Sequence, residues 1–228
     1  LTELLIVEDV AAAAAERIAT VAERGGSIVL SGGSTPRRAY ELAAGADFSG
    51  AKLWFGDERC VPPDDPRSNF ASAKAALLDR LAAPPAVVFR IEGELYPAVA
   101  ARRYAAEIFE HDAEPFDLVL LGLGGDGHTA SLFPGKPAVD ERNRLVVEVP
   151  EAGLEPFVPR VSLTLPALAG ARELLFLVAG AEKARAVLDS FGTTDAATPA
   201  AEVARAAKGR ARVLLDPAAA VLLSSDEV

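Results

Sequence analysis

In 228 residues the chain has no methionine, one cysteine and two histidines, and each scarcity removes a class of protein. The lone Cys60 rules out an intrachain disulfide and fits a reducing compartment, so the expected location is cytoplasmic. His111, His128 and one cysteine, with no pair at ligand spacing, leave no expected zinc site and no metal to hold. No apolar run approaches the length that crosses a bilayer, and Leu1–Val10 has neither a basic start nor a long apolar stretch. The missing methionine places the expected start upstream of Leu1. Basic residues are the minority: 23 Lys and Arg against 33 Asp and Glu, a formal net charge of -10. That field repels nucleic acid and anionic membranes, so an anionic ligand needs a local cluster of NH donors and cations.

What is present is apolar and periodic. Hydrophobic residues make up 50% of the chain, enough to close a full core, and one domain over residues 1–228 is favoured over two small ones. Short β-rich runs alternate with Ala-rich segments at helical spacing, the pattern of a mainly parallel sheet covered by helices in a three-layer α/β fold. Strands are expected near Leu4–Val7, Ile28–Leu30, Leu53–Phe55, Val87–Ile91, Leu118–Leu121, Leu145–Val149, Arg160–Leu165, Leu174–Val178, Val213–Leu215 and Val221–Leu223. Helices are expected near Val10–Arg24, Pro36–Ala44, Asn69–Leu81, Leu95–Glu110, Glu182–Leu188 and Ala200–Ala207. There is no internal repeat and no linker-like stretch; Gly192–Pro199 is the best candidate for a mobile surface loop.

After the strand Ile28–Leu30 comes Ser31-Gly32-Gly33-Ser34-Thr35-Pro36, with Pro36 placed as the first helical residue and Ser34 or Thr35 as its cap. Glycines that turn backbone NH groups to one point, two hydroxyls and a helix N-terminus make an anion site. Without the Lys-Ser/Thr ending of a nucleotide P-loop it suits a single phosphate monoester. Taken alone, an ordinary capped strand-to-helix turn explains it equally well.

The strand Leu118–Leu121 runs into Gly122-Leu123-Gly124-Gly125-Asp126-Gly127-His128-Thr129. This contains GxGxxG, yet Asp126 would sit where pyrophosphate belongs and Pro134 cuts short any following helix, so a dinucleotide cofactor is rejected. Four glycines instead buy a tight path that presents Asp126 and His128 at a strand end. Asp126 is close enough to hold the His128 ring or tune its basicity. A neutral imidazole, with an ordinary pKa of about 6.5, can take a proton from water and return it to a leaving oxygen. The alternative is a histidine that merely hydrogen-bonds in a packed loop. His111, in an acidic helix end, reads as solvated surface.

Other strand ends carry charge. Asp57-Glu58-Arg59-Cys60 leaves the strand Leu53–Phe55 as a loop, and its position favours a functional role for Arg59 over mere solubility. Cys60 reads as a small packing residue in preference to a thiolate nucleophile. Arg160 opens a strand and Lys183 starts a helix; either is ordinary surface by itself, but together they supply the cations that a dianionic phosphate requires.

As a set, SGGSTP at Ser31–Pro36, WFGDERCVP at Trp54–Pro62, SNF at Ser68–Phe70, LGLGGDGHTASLFPG at Leu121–Gly135, PRVSLTLPAL at Pro159–Leu168 and the glycine turn before Lys183 resemble the 6-phosphogluconolactonase family, within the superfamily that includes glucosamine-6-phosphate deaminases. The resemblance implies a Rossmann-like three-layer sandwich and hydrolysis of 6-phospho-D-glucono-1,5-lactone to 6-phosphogluconate in the oxidative pentose phosphate pathway. It implies no cofactor and a small sugar-phosphate lactone as partner, with no nucleic acid or membrane; a monomer or a small homo-oligomer is expected. The family's histidine falls on His128, its phosphate ligands on Gly33, Ser34, Thr35, Arg160 and Lys183, and its active-site arginine on Arg59, with Gly32 and Gly125 as further candidates. The deaminases look like DGHIAFNEPG, with a glutamate where this chain has Phe133, although Asp57 matches their proposed proton-transfer carboxylate. The rivals are therefore an aminosugar-phosphate isomerase or deaminase, which would release ammonia, and a non-catalytic sugar-phosphate sensor. A serine esterase fails because Pro36 replaces the last glycine of GxSxG.

Overall fold

Apolar runs of four or five residues set the strands, and alanine-rich amphipathic segments between them set the helices. The computed structural model describes residues 2–192 and 197–224. The chain runs β1 (Glu3–Ile6), α1 (Val10–Ala22), β2 (Ser27–Leu30), α2 (Ser34–Ala43), β3 (Lys52–Phe55), β4 (Asp57–Arg59), α3 (Asn69–Ala76), β5 (Val87–Val88), α4 (Pro97–Glu110) and β6 (Leu118–Leu121). It continues with β7 (Val146–Val149), β8 (Arg160–Leu163), α5 (Leu165–Ala169), β9 (Leu174–Val178), α6 (Ala184–Phe191), α7 (Pro199–Ala206) and β10 (Ala211–Leu215).

Seven strands form one sheet in the order β1-β10-β9-β6-β2-β3-β5, parallel at every pairing. β6 and β9 are buried at every residue, as strands between two helix layers must be. From β2 the chain steps to β3 on one side, and from β6 it steps to β9 on the other. The β2/β6 boundary is thus the topological switch point, where the loops leaving the carboxyl ends splay apart and open a crevice. One hydrophobic cluster links this sheet to the smaller one described below, through residues such as Leu120, Val147 and Val161.

The departures from the sequence reading have local causes. Val221–Leu223 is not a strand: Asp216 accepts the amides of Ala219 and Ala220 at 2.7 and 3.1 Å and winds the segment into turns, leaving Val221 67% and Leu222 50% exposed. The expected helix Asn69–Leu81 stops at Ala76, because Leu77 leaves helical geometry and a short 3-10 turn, Leu78–Arg80, follows. Val87–Ile91 keeps only Val87–Val88 as strand; Phe89 turns inward and stacks on Trp54 at 3.9 Å. Pro166 in the first turn of α5 ends the strand Arg160–Leu165 at Leu163. Of the loop Gly192–Pro199, residues 193–196 lie outside the described residues. Asp57–Arg59, expected as loop, pairs antiparallel with β8, and β8 with β7, in a three-stranded second sheet.

Two buried tyrosines finish backbone hydrogen bonds where strands end. The Tyr40 hydroxyl accepts from the Ser31 amide and donates to the Ser31 carbonyl, both at 2.8 Å. Tyr104 does the same for Phe55, at 2.7 and 3.0 Å. Burial pushes both phenols above their usual range, so they stay neutral and able to donate. Tyr40→Phe strands a buried amide and carbonyl at the start of the Ser31–Pro36 turn and is expected to cost about 1–3 kcal/mol. Urea unfolding, read as a lower midpoint at unchanged slope, checks it.

Candidate active site

The first wall of the crevice is the turn after β2. Helix α2 begins at Ser34 with Gly33 as its cap residue, so neither Ser34 nor Thr35 caps it and Pro36 is its third residue. The reason is conformational: Gly33 holds φ +113°, a geometry closed to residues with a Cβ, and this starts the helix two residues earlier than expected. Proline remains tolerated within the first turn. Ser34 and Thr35 therefore offer backbone NH groups with no intrahelical acceptor, together with their hydroxyls. Gly32 is required by a neighbour: a Cβ there would lie 2.1 Å from Asn69 Oδ1.

The second wall is the loop after β6. Asp126 Oδ1 accepts the His128 amide at 3.1 Å and lies 2.5 Å from His128 Nδ1. Burial raises the Asp126 carboxyl, but the hydrogen bonds from the His128 ring and amide outweigh it and hold the group below the usual carboxylate range. The ring occupies the space beside Gly124, where a Cβ would fall 2.0 Å from Nδ1, and Gly127 takes φ +80°. Phe133 closes the other side, its centroid 4.6 Å from that of the imidazole. Nε2 makes no hydrogen bond among the described residues. No helix starts at this loop; Thr129 bridges to Leu132 instead, so the dipole that a dinucleotide pyrophosphate would use is missing.

The third wall is the antiparallel sheet. Asp57 is 6% and Glu58 2% exposed, so these charges are core groups. Register pairs Arg59 with Arg160 across β4 and β8. Arg160 is 4% exposed; its Nη2 donates to the carbonyls of Leu154 and Pro156, and its guanidinium lies 5.4 Å from the centroid of Phe133. Burial holds the Arg160 guanidinium below its usual range, against the pull of Asp57. Arg59 donates through Nη1 to the Arg67 carbonyl at 2.5 Å. The Nε atoms of both arginines are buried and without a partner among the described residues.

Three residues that the sequence reading did not single out complete the wall. Glu58 accepts from the amides of Arg59, Asn69 and Phe70 and from the Ser68 hydroxyl, at 2.7–2.8 Å. Burial pushes its carboxyl up against those four bonds. Asp57 accepts from Ser131 Oγ at 2.6 Å and from Asn69 Nδ2 at 3.1 Å, tying the histidine loop to α3. Only their places inside the SNF and LGLGGDGHTASLFPG motifs signalled Asn69 and Ser131.

These walls enclose a cavity of about 250 Å³, lined by Gly32, Gly33, Ser34, Thr35, Asp57, Arg59, Gly125, His128, Arg160 and Lys183 among others. Every candidate site residue lines it except Asp126, which reaches it through His128. Lys183 donates from Nζ to the Leu123 carbonyl at 2.9 Å, which holds its ammonium beside the histidine loop. The volume falls just below the ~300 Å³ at which drug-sized pockets begin, a fit for a small polar molecule. Cys60 faces a different groove, with Tyr96 and Pro97, and burial followed by the Glu58 charge pushes its thiol up to about 11, so it is no thiolate nucleophile. His111 is a surface residue at the end of α4, packed against Phe89. Among the described residues no cluster of metal-ligand type occurs, and no helix is long and apolar enough to cross a membrane.

Known proteins share this sequence pattern and this fold. A model of the family described as glucosamine-6-phosphate isomerases/6-phosphogluconolactonase matches residues 3–213. A 6-phosphogluconolactonase of Streptomyces coelicolor is 40% identical, over 93% of this chain and 90% of its own. A 6-phosphogluconolactonase from Trypanosoma cruzi superposes with a TM-score of 0.85 at 28% identity, over 98% of this chain and 97% of its own. A monomeric glucosamine-6-phosphate deaminase, 19% identical, superposes at 0.83 over 97% of this chain and 100% of its own, and so shares the fold.

The lowered Asp126 carboxyl has a sign. Its stabilisation is complete above the ordinary carboxylate range and is lost as pH falls through the depressed value. The stability gap between wild type and Asp126→Asn is thus expected to shrink as pH falls below the ordinary carboxylate range. Because the carboxylate is partly exposed, the gap is small. Urea unfolding of both proteins across that range measures it; a gap that widened on acidification would contradict the assignment.

Proposed function

The chain belongs to the glucosamine-6-phosphate isomerase/6-phosphogluconolactonase family, and we propose that within it the protein hydrolyses 6-phospho-D-glucono-1,5-lactone to 6-phospho-D-gluconate in the oxidative pentose phosphate pathway. The observation that carries this reading is the shared cavity: an imidazole with a free Nε2 and a carboxylate behind it faces the same small space as a helix N-terminus, two arginines and a lysine.

The phosphate docks on the turn of Gly33, Ser34 and Thr35, with Arg160 and Lys183 supplying the charge that an acidic protein otherwise lacks. This fixes the lactone carbonyl beside His128. Asp126 accepts the Nδ1 hydrogen and so keeps the lone pair on Nε2. Nε2 takes a proton from water, the water oxygen bonds to C1, and the carbonyl oxygen becomes an oxyanion steadied by Arg59. The C1 to ring-oxygen bond then breaks, the imidazolium gives its proton to the leaving oxygen, and the new carboxylic acid ionises. A lactone is an activated ester, so this path needs neither a metal-bound hydroxide nor an acyl-enzyme.

Deaminase chemistry is disfavoured by what surrounds the histidine. Phe133, an apolar ring, packs against it where the deaminases have an acid, and both oxygens of Asp57 accept hydrogen bonds. The reading also takes in a single domain, supported by the continuous core, and a cytoplasmic setting, supported by the lone cysteine.

His128→Ala is expected to lower kcat by about 10² to 10⁴, measured as 6-phosphogluconate formed from fresh lactone with spontaneous hydrolysis subtracted. Lys183→Ala instead raises KM most, by the equivalent of about 1.5–3 kcal/mol for one charge-assisted bond, and loses little on a lactone without phosphate. Tight sugar-phosphate binding with no turnover in the wild type would mark a sensor.

A further inference from the structure

Between the phosphate turn and the arginine pair lies a group that the mechanism does not use. Asn69, the first residue of α3, is 3% exposed yet lines the cavity. Its carboxamide has one orientation. Nδ2 donates to the Asp57 carbonyl oxygen at 2.9 Å and to Asp57 Oδ1 at 3.1 Å; reversed, the amide would set its own oxygen against two acceptors. Oδ1 must then point the other way, and it lies against Gly32, where the space of an absent Cβ is filled by this oxygen. No donor reaches Oδ1 among the described residues. The backbone is held as firmly as the side chain, because the Asn69 amide donates to buried Glu58 at 2.7 Å and the next amide donates to the same carboxylate. Beside Gly32, Ser31 also lines the cavity, and its buried hydroxyl has no partner among the described residues.

A fixed acceptor next to an unpartnered hydroxyl suits a ligand group that both donates and accepts. An anion would meet a lone pair there and be repelled, and a carbonyl oxygen would find no donor on Asn69. We propose that Asn69 is a specificity-determining residue whose Oδ1 accepts a hydrogen bond from one ring hydroxyl of the sugar lactone, with Asp57 and Glu58 as positioning residues that aim it. The inference rests on the proposed lactonase reading and names the part of the substrate that the phosphate and carbonyl contacts leave unread. Discrimination follows because a deoxy analogue leaves Oδ1 buried and unpaired.

The test compares kcat/KM of wild type and Asn69→Ala on the parent lactone and on its 2-deoxy, 3-deoxy and 4-deoxy analogues. Wild type is expected to lose about 2- to 10-fold on one of the three analogues, and Asn69→Ala to lose nothing further on that same analogue. Gly32→Ala provides a second route if Asn69→Ala does not fold: its methyl group would fall 2.1 Å from Oδ1 and so displaces the carboxamide, while the Asn69 backbone amide keeps its acceptor in Glu58, and it is expected to remove the same discrimination while raising KM on every substrate. A folded variant that keeps the wild-type preference against all three analogues overturns the inference and leaves the lactonase reading intact. Wild type that fails to hydrolyse the parent lactone overturns the lactonase reading itself.

Discussion

Four hydrogen bonds converge on one buried carboxylate, that of Glu58, and the site is organised around it. Removing a carboxylate from water costs several kcal/mol, and only charge-assisted bonds that meet most of its lone pairs offset this. Here the donors come from two chain segments, the end of β4 and the start of α3 with its cap, the latter ten or more residues along the chain from Glu58. The carboxylate thereby sets the backbone of Arg59 and of Asn69 against each other. One acidic group thus serves as internal scaffolding, while Arg59, Arg160 and Lys183 line the cavity beside it.

The same economy governs Asp57. It lies on the face of β4 opposite to Glu58, where it receives Ser131 from the histidine loop and Asn69 from α3, and its charge faces Arg160. Arg59 and Arg160 sit directly opposite each other in register, and the charges of Asp57 and Glu58 oppose their mutual repulsion at Arg160. Phe133 then offers the face of its ring to Arg160 while its flank meets His128.

The large sheet was legible because its strands are apolar on both faces and its helices alternate with them, and the switch-point loops because glycines cluster at strand ends. The small sheet was not, since Asp57-Glu58-Arg59 carries three charges and reads as loop; only the pairing with β8 and the burial that follows make it a strand. The start of α2 was misjudged for a related reason: proline at the first helical position is a common pattern, but the backbone of Gly33 overrode it. His128, Arg160 and Lys183 were found because their residue types are rare or costly where they stand. Ser131 and Asn69 were missed as site residues because small polar side chains carry no comparable signal, and their roles arise from contacts 74 and 12 residues away.

One edge of the large sheet joins the first and last of the described strands: β1 lies beside β10, with Glu3 opposite Arg212 and an ion pair between their side chains. Of the ten strands described, β1 is synthesised before all the others and β10 after them. β1 consequently waits for its only neighbour in the large sheet until the other described strands have been made. Its brevity and its acidic first residue, Glu3, blunt that edge during the wait.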